Sequence, residues 1–575
     1  RITDRFIRPA PIARGPGRML SCAKQYYRSM TIAFPPRMST RARRPDFWFW
    51  LLVAMVLAPS VLSLHGIVRS VATAMLLMAA LGQRRLVVVA LLPALLLMPM
   101  ALYYVHLTGH LPGVQLWLVL FYCSLPVIMG YLHAFWPWLV VWACVCLGAV
   151  GLYVARPRGP VVPSGWGRRG WLRWFTLMLV VPMGARVVQL NQENFHRAVN
   201  YNPFYGLEDF YDHSYPWNLV AGYLAGRHET RRVTDMARRM NHQPVRFATP
   251  PDRDPPHVVV LVIGESARRD HLHMYGYDVP DTPEMEREDG LLRFGDMVTP
   301  FDYTVGSVPV ILSQYDRVLS SRITQHDLIS VFNAAGYGTW WISNHPRLGP
   351  YDSVIGAYSE QARHVVYTTV RGGMMSRPKL DEALLPEVAN ALHDAHGNTF
   401  IVVHIFGSHE FVADRFPRAY ARFGSDYDDS IAYSDHILAR ITDMLRAMPG
   451  DNMLFHVADH GVRVSECTAG HTQPVDLKQD YAVPFLMWLS PSWIAHHPAQ
   501  YETARTHLDT PLMTWNLPDS ITDAAGLHLA NADATKSLFS ALLARPHRVV
   551  HGDGDNINVD YDHSHNTAAC HIMPD

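Results

Sequence analysis

The chain has 575 residues, with 50 Lys and Arg against 50 Asp and Glu and a formal net charge of zero. That length is too great for one ordinary domain, and the charge balance excludes a global electrostatic attraction to nucleic acid. The six cysteines (Cys22, Cys123, Cys144, Cys146, Cys467 and Cys570) include no Cys-x-x-Cys pair, which excludes a thiolate zinc ribbon, and they spell out no disulfide framework.

Residues 1–46 are rich in Arg and hold only Asp4 and Asp46 as acids. They are expected to form a basic, disordered cytoplasmic segment. Met38, followed by Ser-Thr-Arg-Ala-Arg-Arg, makes a normal start just ahead of an apolar stretch, so much of 1–37 reads as unstructured or as an over-extended gene reading. The competing reading is a targeting peptide, but no clear cleavage site precedes the apolar stretch.

Residues 47–190 are expected to be a transmembrane domain. Apolar stretches fall at 47–64, 67–82, 86–106, 133–154 and 172–190, against a need for roughly 20 residues per spanning helix. The stretch at 108–131 is broken by Gly109, Pro112, Gly113 and Pro126. It reads as an interfacial insert, with Trp117, Tyr122 and Tyr131 at headgroup depth, or else as a sixth span. Charge separates the two counts. The basic N-terminus, Gln83-Arg84-Arg85 and the loop from Arg156 to Arg173 all belong on the cytoplasmic side, and no Lys or Arg lies between Arg85 and Arg156. Five spans satisfy every basic loop and place the rest of the chain outside the cytoplasm. A buried helical domain is the competing reading, opposed by the uncharged run Leu86–Val105.

Residues 191–256 read as bridging helices, with Leu219–Met240 the best candidate, followed by a linker at 245–256 marked by Pro250-Pro251 and Pro255-Pro256. From 257 to 575, apolar runs alternate with helix-period segments, the pattern of an α/β doubly wound sheet. Three runs share one form. His257–Ile263 ends in Gly264-Glu265, Thr399–His404 leads to Gly407-Ser408-His409, and Met453–Ala458 leads to Asp459-His460-Gly461. Continuous β-branched runs of this kind read as fully buried parallel strands. Open α/β sheets place ligands at the carboxyl ends of such strands, and these three deliver carboxylates and imidazoles there.

Taken singly, each residue has an ordinary structural explanation. Asp459 could cap a helix beside a surface His460, and Glu265 could cap the next helix. His404, His409 and His471 are each commonest as structural or surface histidines. Together they make a ligand set of oxygen and nitrogen donors suited to zinc, with manganese second. Thr304 precedes an apolar helix-period stretch expected at Val308–Leu319. A hydroxyl there faces unpaired backbone N–H groups, which favour a phosphate or an alkoxide, although taken by itself an N-cap is the commoner explanation.

In chain order, several segments resemble the bacterial membrane phosphoethanolamine transferases, a branch of the alkaline phosphatase/sulfatase superfamily. Gly264-Glu265-Ser266-Ala267-Arg268-Arg269-Asp270-His271, with Tyr275-Gly276-Tyr277 and Thr282-Pro283, resembles the family's opening motif. Thr304-Val305-Gly306-Ser307-Val308-Pro309 resembles its nucleophile segment, and His404-Ile405-Phe406-Gly407-Ser408-His409 its paired-histidine motif. Tyr427-Asp428-Asp429-Ser430 with Asp435, Ala458-Asp459-His460-Gly461, His471, and Val483-Pro484-Phe485 with Trp488 are similar to later motifs in the same order.

The resemblance implies an alkaline-phosphatase-like domain with a central, mostly parallel sheet behind the helical membrane domain. It implies one or two zinc ions, with Glu265, Thr304, Asp459 and His460 as ligands and Thr304 as nucleophile. His404, His409 and His471 would contact the phosphate, a second metal or the leaving group. The implied donor is phosphatidylethanolamine, and the implied acceptor is lipopolysaccharide, at lipid A or a core sugar, or another envelope glycolipid. The implied location is a bacterial inner membrane, multi-pass in the lipid bilayer, with the catalytic domain in the periplasm.

The chain departs from the family in places. Val462-Arg463 stands where Glu-Ser is usual, and Glu410 follows His409 where Gly is common. The acidic and polar residues of the family's interfacial helices are not evident in 108–131. The soluble part shows no cysteine pair of the kind found in lipid A-modifying members. Competing functions are phosphoglycerol transfer, hydrolysis by a phosphatase or sulfatase, and a non-catalytic membrane-anchored binding or sensor protein. No Cys/Ser-x-Pro-x-Arg sulfatase motif lies near 304.

Overall fold

The computed structural model describes residues 47–62, 67–81, 84–108, scattered positions from 111 to 151, 169–197, 203–211, 214–240, 244–251, 257–313, 326–347, 353–368, 380–395, 397–409, 411–466, 476–552 and 557–575. Helices Phe47–Leu62, Ile67–Leu81, Arg84–Thr108 and Arg169–Arg197 occupy the apolar region. Phe49, Leu52 and Val56 pack with Val87, Leu91 and Leu95 in one buried cluster, which Tyr215 and Leu219 also join. Among the described residues no helix is long and apolar enough to cross a membrane. The first two have 16 and 15 residues, roughly 24 and 22 Å at the helical rise, against a hydrocarbon layer of about 30 Å. Pro93 and Pro99 lie inside the third, and the fourth carries Arg173, Arg186 and Glu193. Most of the expected insert at 108–131 and of the fourth apolar stretch lies outside the described residues.

Helix Trp217–Met240 joins two cores. Leu219 near its start packs with the first cluster, whereas Ala225, Val233, Ala237 and Met240 pack into the core of the α/β domain. Gln361 Nε2 donates to Ala237 O and ties the helix to the domain. Within the stretch expected to be a linker, Phe247 forms an antiparallel bridge with Leu529.

The domain is built on an eight-stranded sheet. Its strands are β1 (Val258–Gly264), β2 (Leu291–Val298), β3 (Gly338–Ser343), β4 (His364–Tyr367), β5 (Thr399–His404), β6 (Met453–Ala458), β7 (Ala482–Leu489) and β8 (Leu512–Met513), in spatial order 4-3-5-1-6-7-2-8. From β4 to β6 all pairings are parallel; β7 runs antiparallel to both neighbours. The sheet is thus mostly parallel, as expected. Every residue of β1, β5 and β6 is buried. A strand covered on both faces has no polar side to alternate with, which is why these three read as continuous apolar runs.

Register brings the strand ends level. Ile263 pairs with His404 on one side and Val457 on the other, and Gly264 pairs with Ala458. Glu265 and Asp459 therefore leave adjacent strands at the same height. The Asp459 N–H donates to Gly264 O at 3.0 Å, and the Ser408 N–H to Glu265 O at 3.1 Å.

Candidate active site

Glu265 stands at the end of β1, where the chain turns sharply. Ser266 adopts φ 55°, uncommon for a residue with a Cβ. Its N–H donates to Asp459 Oδ1 at 3.1 Å and its hydroxyl to Glu265 Oε1 at 2.7 Å, so the turn is held by the carboxylates it presents. Gly407 closes the other side with φ +48°. A Cβ there would lie 2.8 Å from Glu265 O, so only glycine fits without displacing the strand end.

Thr304 is the first residue of helix Thr304–Ser313, four residues earlier than the start read from the sequence. The end expected at Leu319 lies outside the described residues. The Gly306 and Ser307 N–H groups both donate to Tyr303 O, which winds the first turn before the apolar period begins. Ser307 Oγ donates to Phe301 O and accepts from Thr299 Oγ1, fixing the entry to the helix. The Thr304 hydroxyl donates to Glu265 Oε2 at 3.1 Å and lies 3.3 Å from His460 Nε2.

His460 Nε2 is 3.4 Å from both Glu265 Oε1 and Asp459 Oδ2. Its Nδ1 is 2.7 Å from Gly461 O, so Nδ1 carries a proton and Nε2 faces the carboxylates. Thr304 is half-buried, whereas Glu265, Asp459 and His460 are buried. His404 ends β5, fully buried, with no hydrogen bond on either ring nitrogen among the described residues, and His409 follows half-buried in the next turn. His471 lies outside the described residues.

The charges in this cluster are mutually dependent. Burial works against an ionised Glu265, but its hydrogen bond to His460 and the charges of His409, His460 and His345 hold it well below the usual carboxylate range. Burial and the neighbouring Glu265 charge push Asp459 up to about 8. Burial opposes a charged His460, yet Asp459 and Glu265 raise it to about 10. Two carboxylates and an imidazole thus converge and compete for protons, a set that a divalent metal would satisfy better. Ligand atoms of Glu265, Asp459 and His460 lie within 4.8 Å of one another, with the Thr304 hydroxyl beside them. The residues fit a metal by donor type and by distance.

The sequence reading missed His345. It sits just past β3, buried, with Nε2 at 3.7 Å from Glu265 Oε2. A lone histidine before a proline carries no signal of its own. Asp381 was missed too. Its carboxylate accepts from Asn344 Nδ2, Phe406 N and Gly407 N at 2.8–2.9 Å and ties the His345 turn to the His404–His409 turn. Arg463, which departs from the family pattern, forms a buried ion pair with Asp480 at 2.8 Å. Arg268 pairs with Asp270 and Glu466. Cys570 is disulfide-bonded.

Residues 257–526 match the Sulfatase family model. The chain is 26% identical over 357 residues to Phosphoethanolamine transferase EptC of Escherichia coli (strain K12), a match covering 56% of this chain and 60% of that protein. It is 26% identical over 275 residues to the Kdo(2)-lipid A phosphoethanolamine 7''-transferase of Salmonella typhimurium (strain LT2), covering 43% and 47%. The chain therefore spans about 60% of the length of the first of these relatives. Among solved structures, it is similar to the C-terminal periplasmic domain of EcEptC from Escherichia coli in complex with Zn. The TM-score is 0.51 and the identity 25%, over 56% of this chain and 96% of that one. The match to the Sulfatase family model over 257–526, the order of the strand-end motifs and these relatives agree: the chain is similar to the phosphoethanolamine transferases of the alkaline phosphatase/sulfatase superfamily.

Proposed function

We propose that this protein transfers phosphoethanolamine from phosphatidylethanolamine to an envelope glycolipid through a covalent intermediate on Thr304. The observation that carries the reading is the Thr304 hydroxyl, at a helix N-terminus and within hydrogen-bond reach of Glu265 and His460. The Oγ attacks the donor phosphorus, the bond to the diacylglycerol oxygen breaks, and diacylglycerol departs as the alcohol. The acceptor's hydroxyl or phosphate oxygen then displaces Thr304 and takes the phosphoethanolamine. The Thr304 proton already points at Glu265 Oε2, its first acceptor.

Zinc is the proposed metal, with Glu265, Thr304, Asp459 and His460 to hold it; when bound it supplies Lewis-acid charge that lowers the pKa of a ligating hydroxyl. The N–H groups at the start of helix Thr304–Ser313 favour the anionic phosphoryl group there. His404 and His409, with His471, are the proposed phosphate contacts. The proposed acceptor is lipid A, as in the name of the Salmonella relative, a core sugar or another glycolipid.

The proposed location is the periplasmic face of the inner membrane, anchored through 47–190. A membrane anchor confines the site beside two lipid substrates and removes most of the entropic cost of bringing them together. The test is incubation with phosphatidylethanolamine and phosphatidylglycerol, each labelled in its headgroup, followed by mass spectrometry of protein and glycolipid. A phosphoethanolamine adduct on Thr304 and a matching mass gain on a glycolipid support the reading. Transfer only from phosphatidylglycerol, or release of free headgroup alone, replaces it with a related transferase or a hydrolase.

A further inference from the structure

Glu265, His345 and His404 form a second trio whose ligand atoms lie within 4.8 Å of one another. Distance alone would make this a second metal site, but ring orientation argues against it. The imidazoles of His345 and His404 are stacked, with centroids 3.9 Å apart and planes 5° apart. A ring nitrogen offers its lone pair in the plane of the ring. Two parallel plates therefore present lone pairs side by side and do not converge on one ion. The Nε2 of His345 is also committed, since it lies 2.9 Å from Ile405 O and donates its proton there.

The stack extends further. Phe406 lies on His345 at 4.5 Å and 20°, and the Arg415 guanidinium sits 4.1 Å over the Phe406 ring. Trp341 meets His404 edge-on at 6.1 Å. The His345 turn is fixed by its own N–H, which donates to Ser343 Oγ at 3.1 Å, and by the Asp381 carboxylate. His404, in contrast, is fully buried, and among the described residues no polar group hydrogen-bonds its ring to set its orientation.

We propose that His345 is a positioning residue and not a second-metal ligand: its ring, locked on Ile405 O, is the plate that fixes the plane of His404 beside Glu265. The kinetic consequence rests on the reading of Thr304 as a phosphoryl-transfer nucleophile; the orientation itself does not. Stacking does here what a second hydrogen bond does for most catalytic histidines: it fixes the ring plane without using either His404 nitrogen.

The test compares the full chain with His345→Phe, which keeps the plate and removes the donor, and His345→Ala, which removes both. Bound zinc per chain is measured by elemental analysis, the His404 ring by 15N chemical shift, and transfer from labelled phosphatidylethanolamine by kcat and KM. Zinc content is expected to be equal in all three. His345→Ala is expected to broaden or shift the His404 signals and lower kcat about 10-fold, with KM changed less than about 2-fold, as misorientation of a catalytic group does. His345→Phe is expected to retain the wild-type His404 signals. Loss of a zinc equivalent in either variant overturns the proposal, as do unchanged His404 signals in His345→Ala. If the wild-type protein transfers no headgroup, the proposed reaction fails by itself, because zinc content and 15N shifts still decide the role of His345.

Discussion

Thr304 Oγ1 donates a 3.1 Å hydrogen bond to Glu265 Oε2, joining the start of a helix to the end of the central strand. The two residues are 39 apart in the chain. Replacing Thr304 with Ala removes the oxygen that would carry the phosphoryl group. Transfer is expected to fall at least about 100-fold, the scale of losing a directly participating group. The circular dichroism spectrum should be unchanged and no protein adduct should form. An adduct of undiminished yield in Thr304→Ala would place the nucleophile elsewhere.

Removing the metal should cost both activity and stability. Two converging carboxylates, one pushed up to about 8 by burial and its neighbour, are relieved when a divalent ion sits between them. A ligand at 100 times its Kd stabilises the folded state by about 2.7 kcal/mol. Chelation is expected to lower Tm and abolish transfer, and added zinc to restore both. Asp459→Asn should bind zinc more weakly and show a smaller Tm shift on chelation. Equal Tm with and without chelator would count against a metal held by these residues.

The Arg268–Glu466 pair gives a pH dependence with a defined sign. Partial burial works against ionised Glu466, but its own backbone N–H, the Arg268 guanidinium and the Ser465 N–H bring it down to about 2. Its folded pKa lies below its ordinary 4.5, so the unfolded chain binds more protons between those values. The contribution to stability is present above about pH 4.5 and is lost as pH falls toward 2. Denaturant titrations from pH 5 to 2.5 should show a shallower decline for Glu466→Gln than for the wild type. Identical slopes would mean that the pair contributes nothing measurable.

Gly407 is a structural test of the site. At φ +48°, with a Cβ position 2.8 Å from Glu265 O, alanine would strain the backbone and press on the strand end. Gly407→Ala is expected to destabilise the fold by about 1–3 kcal/mol. Transfer should fall by more than the loss of folded protein explains, because Glu265 is displaced. A variant with wild-type Tm and wild-type rate would show that the turn relaxes freely.

Much of the site was legible because its carriers are buried strands. β1, β5 and β6 are covered on both faces and read as unbroken apolar runs, so the first polar residues after them mark the strand exits. Glu265, His404, Asp459 and His460 all sit at those exits. Thr304 was found through its motif, but its helix start was misplaced, because Asp302-Tyr303-Thr304 carries no apolar period to announce a turn wound on Tyr303 O. The aromatic strand before His345 ends in a histidine with no pattern around it.

The sequence alone determined which strands are buried, which residues leave them, and the family that their order resembles. The tertiary structure decided the rest. Parallel register set Glu265 level with Asp459, helix placement carried the Thr304 hydroxyl to Glu265, and packing laid His345 on His404. Burial is written locally, in the period of apolar residues along one strand. The meeting of groups distant in the chain depends on sheet register and ring packing, which no single segment encodes.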